Sequence, residues 1–437
     1  MSSFKVIGGT ELSGSITPQG SKNEALQIVA SSILVENLII KNIPNIADIR
    51  NLIMIIEEAG ANVIWGEGFV HIDTRNIKEE YFSSAQYFTK AEKLRGSLML
   101  MGPLLARYGK CYIPKTGGDK IGRRPIDTHI LGFIKCGAVL SGEGNMKKLS
   151  MDKSKFVSGE ILLEEASVTG TANILMCASK NAKDLVIYNA ASETYISQLC
   201  QVLFTTGLSV TGAGSNRLTL NSVKNINSFE SPVEHVVFSD FIEVASFISL
   251  AMSTRSEIVI KDAGVKNLGQ TLNMFEKLGC KFEIDGDDIK VLKQERYEIQ
   301  KMYDGGMVNI YSAPWPMTSP DILSLGIVAA MQCEGVALFH EKMYEARMFF
   351  VDKLIAMGAQ IVLCDPHRVV VTGSNWKSRL SARHMTSPDI RAGISLLIAA
   401  LGAEGESVID NIEQIDRGYE NIETRLALLG ANITRID

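Results

Sequence analysis

The sequence lacks the signatures that place many enzymes at first reading. The histidines, His71, His129, His235, His340, His367 and His384, show no H-E-x-x-H or other ligand spacing, so a metal site is not expected. There is no G-x-S-x-G elbow, no Walker loop and no dinucleotide fingerprint, so any phosphate binding is of a non-nucleotidase kind. The cysteines, at 111, 136, 177, 200, 280, 333 and 364, are never closer than 23 residues. That excludes C-x-x-C redox or zinc spacing and reads as buried thiols in a reducing compartment. Charge of one sign does not gather into runs: 44 Lys+Arg against 49 Asp+Glu give a net charge of −5. A long nucleic-acid track or an acidic-membrane patch is therefore not expected, and any anionic ligand must be held by local groups. No stretch reaches the roughly 18 apolar residues of a membrane helix, and the opening MSSFKVIGGTEL has no apolar core of a secretory leader. A soluble cytoplasmic protein is the expectation.

What is present is apolar mass and an internal period. With 437 residues and 46% apolar content, two domains are the starting expectation. A short pattern recurs, in which an amphipathic helix ends at a glycine and an apolar, strand-like run follows. Its glycines are Gly60, Gly137, Gly207, Gly279, Gly358 and Gly430, at intervals of 77, 70, 72, 79 and 72 residues. A left-handed helix terminus explains each glycine structurally, with no catalytic role.

A second helix type precedes each amphipathic one and is apolar on nearly every face, as in NEALQIVASSILV, GSLMLMGPLLARYG and FIEVASFISLAM. Such helices belong inside a large core. With the β-rich stretches between them, each unit reads strand, apolar helix, strand, amphipathic helix, strand, strand. The fold class expected is α/β, with sheets surrounding buried helices, three units to a domain. One crossing between domains falls near Val237 and Asp240. The first strand, FKVIGGTEL, has no early partner and is expected to complete the C-terminal domain, giving a second crossing near Gly20. The boundaries are thus 21–237 for an N-terminal domain carrying a mobile loop at 111–124, and 1–20 with 238–437 for a C-terminal one. The active site is expected in the cleft between them.

The residues opening the apolar helices are unexpectedly polar: QGSKN (Gln19 to Asn23), KLRGS (Lys93 to Ser97), ASVTGT (Ala166 to Thr171), FSDFIE (Phe238 to Glu243), MTSPD (Met317 to Asp321) and MTSPDIR (Met385 to Arg391). Capping accounts for Ser319 and Ser387. It does not account for Lys22, Arg95 or Arg391, since an exposed cation at the positive end of a helix dipole destabilises by roughly 0.3–1 kcal/mol. Helix amides, the dipole and a basic side chain together make a phosphate or carboxylate site. The stretch CYIPKTGGDKIGRRPIDTH (Cys111 to His129) carries Gly117, Gly118 and Gly122 with Lys115, Lys120, Arg123 and Arg124 around one acid, Asp119. It reads either as a lid over an anion or as a solvated loop. Arg347 in EARMFF and Arg417 in EQIDRGYE are cleft candidates, with ion pairs to Glu345 or Asp416 as the plain alternative.

Eight strings in order, GSKNEAL at Gly20, LRGS at Leu94, GGDKIGRRPIDTH at Gly117, ASVTGT at Ala166, PD at Asp321, EARMFF at Glu345, SPDIRA at Ser387 and IDRGYE at Ile415, resemble the enolpyruvyl transferase family, on its sugar-nucleotide branch. The resemblance implies a two-domain inside-out α/β barrel of six βαβαββ repeats with buried helices. It implies transfer of enolpyruvyl from phosphoenolpyruvate to the 3′-hydroxyl of UDP-N-acetylglucosamine in peptidoglycan precursor synthesis, with no cofactor. It assigns Lys22 and Asn23 to the phosphoenolpyruvate site, and Arg124 and Arg417 to its phosphate and carboxylate oxygens. Arg95, the run Arg124, Pro125, Ile126, Asp127 and Thr128, Ser167, Val168, Asp321 and Met343 match nucleotide or sugar contacts, and Arg347 and Arg391 further cleft arginines. Asp321 is implied to take the hydroxyl proton. Asp119 stands where the family commonly carries cysteine, and is implied to protonate C3.

The shikimate 3-phosphate branch of the family and a silent repeat scaffold are the alternatives. Against a scaffold, equivalent helix starts carry different polar residues. A carboxylate is a poorer nucleophile than a thiolate toward the epoxide fosfomycin, so insensitivity is expected. Lys120, Arg123 and Arg124 oppose protonation of Asp119 until an anionic substrate neutralises them. Asp119→Asn is expected to lose turnover by about 10²-fold or more, measured as kcat against pH beside the native protein. Undiminished turnover in that variant rejects Asp119 as the donor.

Overall fold

A computed structural model of the chain describes residues 2–115, 117–118, 121–142, 147–223 and 231–436. The chain divides into two compact units. The N-terminal unit is Gly20–Gly118 with Arg124–Phe238, and the C-terminal unit is Met1–Gln19, Asp119–Arg123 and Ser239–Asp437.

Each unit is organised around helices too apolar to lie at a surface. In the N-terminal unit, Lys22–Val35, Met101–Tyr108 and Val168–Ala178 pack against one another. Two of their serines bond to helix carbonyls: the Ser31 and Ser32 hydroxyls donate to the Ile28 and Val29 carbonyls, each at 2.7 Å. In the C-terminal unit, Phe241–Thr254, Pro320–Ala330 and Ile390–Gly402 form the corresponding cluster. Every residue of Phe241–Thr254 is buried, which is why no polar face is needed along it. Ser249 spans two of these helices by donating to the Leu325 carbonyl at 2.9 Å. Among the described residues no helix is long and apolar enough to cross a membrane.

Strands of alternating burial surround the helices. Asn37–Lys41 lies between Phe69–Asp73, antiparallel, and Val233–Val236, parallel, with Leu38, Ile40, Val70 and Ile72 turned to the core. In the C-terminal unit Ser3–Gly8 pairs antiparallel with both Gly405–Asp410 and Asn432–Ile436, and Ser13–Ile16 pairs parallel with Glu257–Ile260. Among the described residues there are five four-stranded sheets and one of three strands.

Two sequence expectations need correction. The run GSLMLMGPLLARYG is not one helix but a 3-10 segment, Arg95–Leu100, followed by an α-helix, Met101–Tyr108. Pro103 has no N–H and its ring would meet the carbonyl four residues earlier, so the α-helix can begin only with Pro103 in its first turn. Six of the cysteines are buried, but Cys364 is exposed, on the strand Gln360–Asp365.

The periodic glycines, Gly60, Gly137, Gly207, Gly279, Gly358 and Gly430, have φ of 109°, 100°, 100°, 89°, 101° and 95°, where a side chain is strained. They differ in what surrounds them. A Cβ on Gly279 would lie 2.5 Å from the Glu298 amide nitrogen, whereas one on Gly430 would meet nothing within 4 Å. Gly430→Ala is accordingly expected to lower unfolding free energy by about 1–2 kcal/mol, and Gly279→Ala by clearly more. Denaturant midpoints of the two variants decide it.

Candidate functional site

In the N-terminal unit the candidate residues stand at helix starts. Ser21 caps Lys22–Val35, its hydroxyl accepting from the Glu24 amide at 3.4 Å. The next residue, Lys22, is buried, and its Nζ lies 2.6 Å from Asp48 Oδ2, which is equally enclosed. Asp48 is in the first turn of Ala47–Glu58. Asn23 is half-buried. Glu24 is buried and doubly used, with Oε1 at 2.8 Å from His235 Nε2 and Oε2 accepting from the Phe238 amide at 3.3 Å.

Arg95 opens its 3-10 segment, half-buried, and Nη1 donates to the Arg124 carbonyl at 3.1 Å. Gly118, at φ 126°, brings the loop so close that a Cβ would stand 3.2 Å from Arg95 Cβ and 3.9 Å from Arg124 Nη1. Arg95 and Arg124 are thus neighbours. Pro125 and Asp127 are exposed, Ile126 is half-buried, and Thr128 is buried in the helix Asp127–Lys135. Ser167 caps Val168–Ala178, accepting from the Gly170 amide at 3.2 Å. A Cβ on Gly170 would touch Ser167 Cβ at 3.1 Å and Thr128 Cγ2 at 3.2 Å, so these two helix starts converge and Val168 stands beside them.

A buried polar junction behind these residues was not legible in the sequence. His129 Nδ1 lies 2.9 Å from Asn173 Nδ2, and Nε2 lies 3.0 Å from Thr169 Oγ1. Asn173 also donates to the Leu98 carbonyl at 2.9 Å, while its Oδ1 accepts from the Gly102 amide at 2.8 Å. One imidazole and one amide therefore tie together the segments bearing Arg95, Thr128 and Ser167. Burial, aided by the nearby Arg95 charge, pushes the His129 pKa down to about 4. A neutral ring accepting at Nδ1 and donating at Nε2 satisfies every member of the junction.

In the C-terminal unit the candidates form one charged cluster. Asp321 lies in the first turn of Pro320–Ala330, whose cap Ser319 accepts from the Asp321 amide at 3.2 Å. Arg347 Nη2 donates to Asp321 Oδ1 at 2.6 Å, and Arg391 Nη2 lies 3.5 Å from Asp321 Oδ2. Asp389 caps Ile390–Gly402, accepting from the Arg391 and Ala392 amides at 2.9 and 3.0 Å, and stands 3.8 Å from Arg347 Nη1. Arg347 and Arg391 are 4% and 5% exposed. Burial opposes the Arg391 charge, but Asp321 and Tyr419 outweigh it and raise its pKa. Arg347 Nε and Nη1 have no hydrogen-bond partner among the described residues. Arg417 is half-buried with Nη1 donating to Gln414 Oε1 at 2.9 Å. A Cβ on the next residue, Gly418, would lie 2.5 Å from Ile390 Cγ2 and 3.8 Å from Arg391 Nη1, so the Arg417 segment adjoins the cluster.

The plain alternative for Arg347 does not hold, because Arg347 pairs with Asp321 and Glu345 is engaged elsewhere. Glu345 Oε2 accepts from the Arg123 amide at 3.2 Å, and Asp416 pairs with Arg435 at 2.7 Å. Met343 is exposed, on a turn held by buried Glu341. Glu341 Oε1 accepts from Ser312 Oγ at 2.7 Å and from the Met343 and Tyr344 amides at 2.7 and 3.3 Å. Burial raises the Glu341 pKa. Asp119 and Lys120 lie outside the described residues.

Apolar helices that start beside paired carboxylates and guanidinium groups place fixed charges where an anion can be held. The sequence profile of the EPSP synthase (3-phosphoshikimate 1-carboxyvinyltransferase) family matches residues 6–426, and the chain belongs to that family. It is 50% identical over 442 residues, covering 100% of both chains, to the UDP-N-acetylglucosamine 1-carboxyvinyltransferase of Bacteroides thetaiotaomicron. Its identity to the protein of that name from Porphyromonas gingivalis is 46% over 438 residues, again covering 100% of both. Among solved structures, the enolpyruvyl transferase NikO from Streptomyces tendae matches with a TM-score of 0.85 at 18% identity, over 99% of this chain and 98% of that one. EPSP synthase from Acinetobacter baumannii matches at 0.71 and 16% identity, over 100% of both. These two likenesses show the α/β fold.

The His129 junction sets a pH dependence. Unfolded histidine titrates near 6.5 and folded His129 near 4, so between those values the unfolded chain binds more protons. Stability is expected to fall as pH is lowered from about 6.5 to about 4. His129→Gln should flatten the slope of melting midpoint against pH in that window; an unchanged slope excludes His129 as its source.

Proposed function

We propose that the chain transfers the enolpyruvyl group of phosphoenolpyruvate to the 3′-hydroxyl of UDP-N-acetylglucosamine and releases phosphate, an early step in peptidoglycan precursor synthesis. The observation carrying this reading is end-to-end identity of 46–50% to relatives bearing that carboxyvinyltransferase name. A cytoplasmic location suits such water-soluble, charged substrates.

In the reaction a proton adds to C3 of phosphoenolpyruvate while the sugar oxygen bonds to C2, giving a tetrahedral ketal. Loss of a C3 proton and cleavage of the C2–O bond to phosphate restore the double bond on the sugar. The charge to be held is that of a phosphate and a carboxylate, which calls for several fixed cations. We assign Lys22, Asn23, Arg124 and Arg417 to phosphoenolpyruvate. Arg95, Pro125, Ile126, Asp127, Thr128, Ser167, Val168 and Met343 are assigned to the nucleotide and its sugar. Asp321 is the acceptor of the hydroxyl proton, and Asp119 donates to C3.

Arg347 and Arg391 support the reading in a specific way. A buried guanidinium with donors left over carries a desolvation penalty that an incoming anion relieves, and Arg347 has two such nitrogens. The same pair fixes the orientation of Asp321. We further propose that the described sheets and central helices are six βαβαββ repeats of an inside-out barrel, three per domain, with domains at 21–237 and at 1–20 with 238–437; the loop expected at 111–124 in the first domain is divided, since Asp119–Arg123 groups with the C-terminal unit.

The shikimate reading rests on the family profile alone. Phosphate release from phosphoenolpyruvate, measured with each acceptor, separates the readings. Release with UDP-N-acetylglucosamine is expected to exceed that with shikimate 3-phosphate by at least about 10³-fold, since an acceptor that leaves buried polar groups unpaired loses about 10⁴–10⁵. Release with neither acceptor overturns the enzyme reading.

A further inference from the structure

Gln19 is the last residue of Met1–Gln19 before the chain leaves the C-terminal unit. It is buried, and all four of its polar groups are engaged. Its amide N–H donates to Glu243 Oε2 at 2.6 Å, and its carbonyl accepts from the Asp240 amide at 2.9 Å. The side-chain Nε2 donates to the Gly418 carbonyl at 2.8 Å, and Oε1 accepts from the Glu420 amide at 2.8 Å. One carboxamide thus spans the peptide groups that immediately follow Arg417.

Its own backbone is anchored in turn. Glu243 is buried, with Oε1 paired to Arg425 Nη1 at 2.5 Å, and Arg425 Nη2 also donates to the Thr17 carbonyl at 2.6 Å. The Arg417 segment is held from its other side by Ile390, 2.5 Å from where a Gly418 Cβ would be. Tyr419 is fixed too, its hydroxyl 2.9 Å from Ser246 Oγ and its ring 5.9 Å from the Arg391 guanidinium. Bridging a carbonyl and an N–H two residues apart takes one donor and one acceptor on a single planar group, which among side chains of this length the glutamine amide supplies.

We propose that Gln19 is a positioning residue for Arg417: its carboxamide fixes the backbone from which that guanidinium reaches the anionic oxygens of phosphoenolpyruvate. This rests on the assignment of Arg417 given above. Gln19→Leu keeps the volume and removes both hydrogen bonds. Displacement of an anion-binding group by about 1 Å costs up to about 10²-fold, so kcat/KM for phosphoenolpyruvate is expected to fall by about tenfold. KM for UDP-N-acetylglucosamine is expected to stay within about twofold.

A double-mutant cycle with Arg417→Lys distinguishes positioning from general destabilisation. Once the guanidinium is gone, Gln19→Leu should add little further loss. Full additivity of the two losses, or an unchanged kcat/KM in Gln19→Leu, overturns the proposal. If Gln19→Leu does not fold, Gln19→Met, which keeps the length of the side chain and removes both hydrogen bonds, takes its place in the cycle, and additivity or an unchanged kcat/KM overturns the proposal there as well. Native kcat/KM in Arg417→Lys alone overturns the assignment of Arg417, and this proposal with it, a result unlike additivity.

Discussion

Burying a cation at the positive end of a helix is unfavourable twice over, through desolvation and through the dipole. The structure meets both with an acid that is itself at a helix start. Asp48 lies in the first turn of Ala47–Glu58 and holds Lys22. Asp321 lies in the first turn of Pro320–Ala330 and holds Arg347 and Arg391. Asp389 caps Ile390–Gly402 and stands near Arg347. The dipoles favour these carboxylates, and the carboxylates in turn retain the cations. Removal of one acid would leave a buried charge less compensated, which is worse than never having built the pair.

Much of the framework was legible in the sequence because it rests on local rules. The apolar helices announce their burial by lacking a polar face, and the glycine comb marks six left-handed backbone positions. The polar residues at helix starts were equally visible. Lys22 and Arg391 read as cations opposing a dipole, and that mismatch pointed to a bound phosphate or carboxylate ligand, whereas the partners the structure shows are protein carboxylates. These protein partners could not be read. Asp48 is 26 residues from Lys22, and Asp321 is 70 from Arg391, so the pairing follows from the packing of helices and from no spacing along the chain.

The unread parts share a second cause: residues whose chemistry has a plain structural use. His129 has no ligand spacing, and only its contacts with Asn173 and Thr169 reveal it as the tie between three site-bearing segments. Gln19 reads as an ordinary polar residue ahead of a cap. Its neighbours in space are Gly418 and Glu420, some 400 residues on. Glu345 was legible as charge and misleading as a partner, because it accepts from a backbone amide at Arg123 and not from the guanidinium two residues away. The split of Arg95–Leu100 from Met101–Tyr108 belongs here too, for Pro103 is plain in the sequence while its effect on helix type depends on where the first turn falls.

Comparison of the helix starts shows where chemistry departs from architecture. Ser21, Ser167, Ser319, Asp240 and Asp389 all accept a hydrogen bond from an amide at the start of an apolar helix, which satisfies part of the set of orphaned amides at a buried terminus. Yet the residue just past the cap is Lys22 in one case, Val168 in another, and Pro320, ahead of Asp321, in a third. Local rules agree across the helices wherever stability is at stake and disagree where they meet the charged clusters, the division expected when a uniform scaffold carries one asymmetric function. The cap is therefore the part of each helix start that the fold dictates, and the residues that follow it are free to differ from helix to helix.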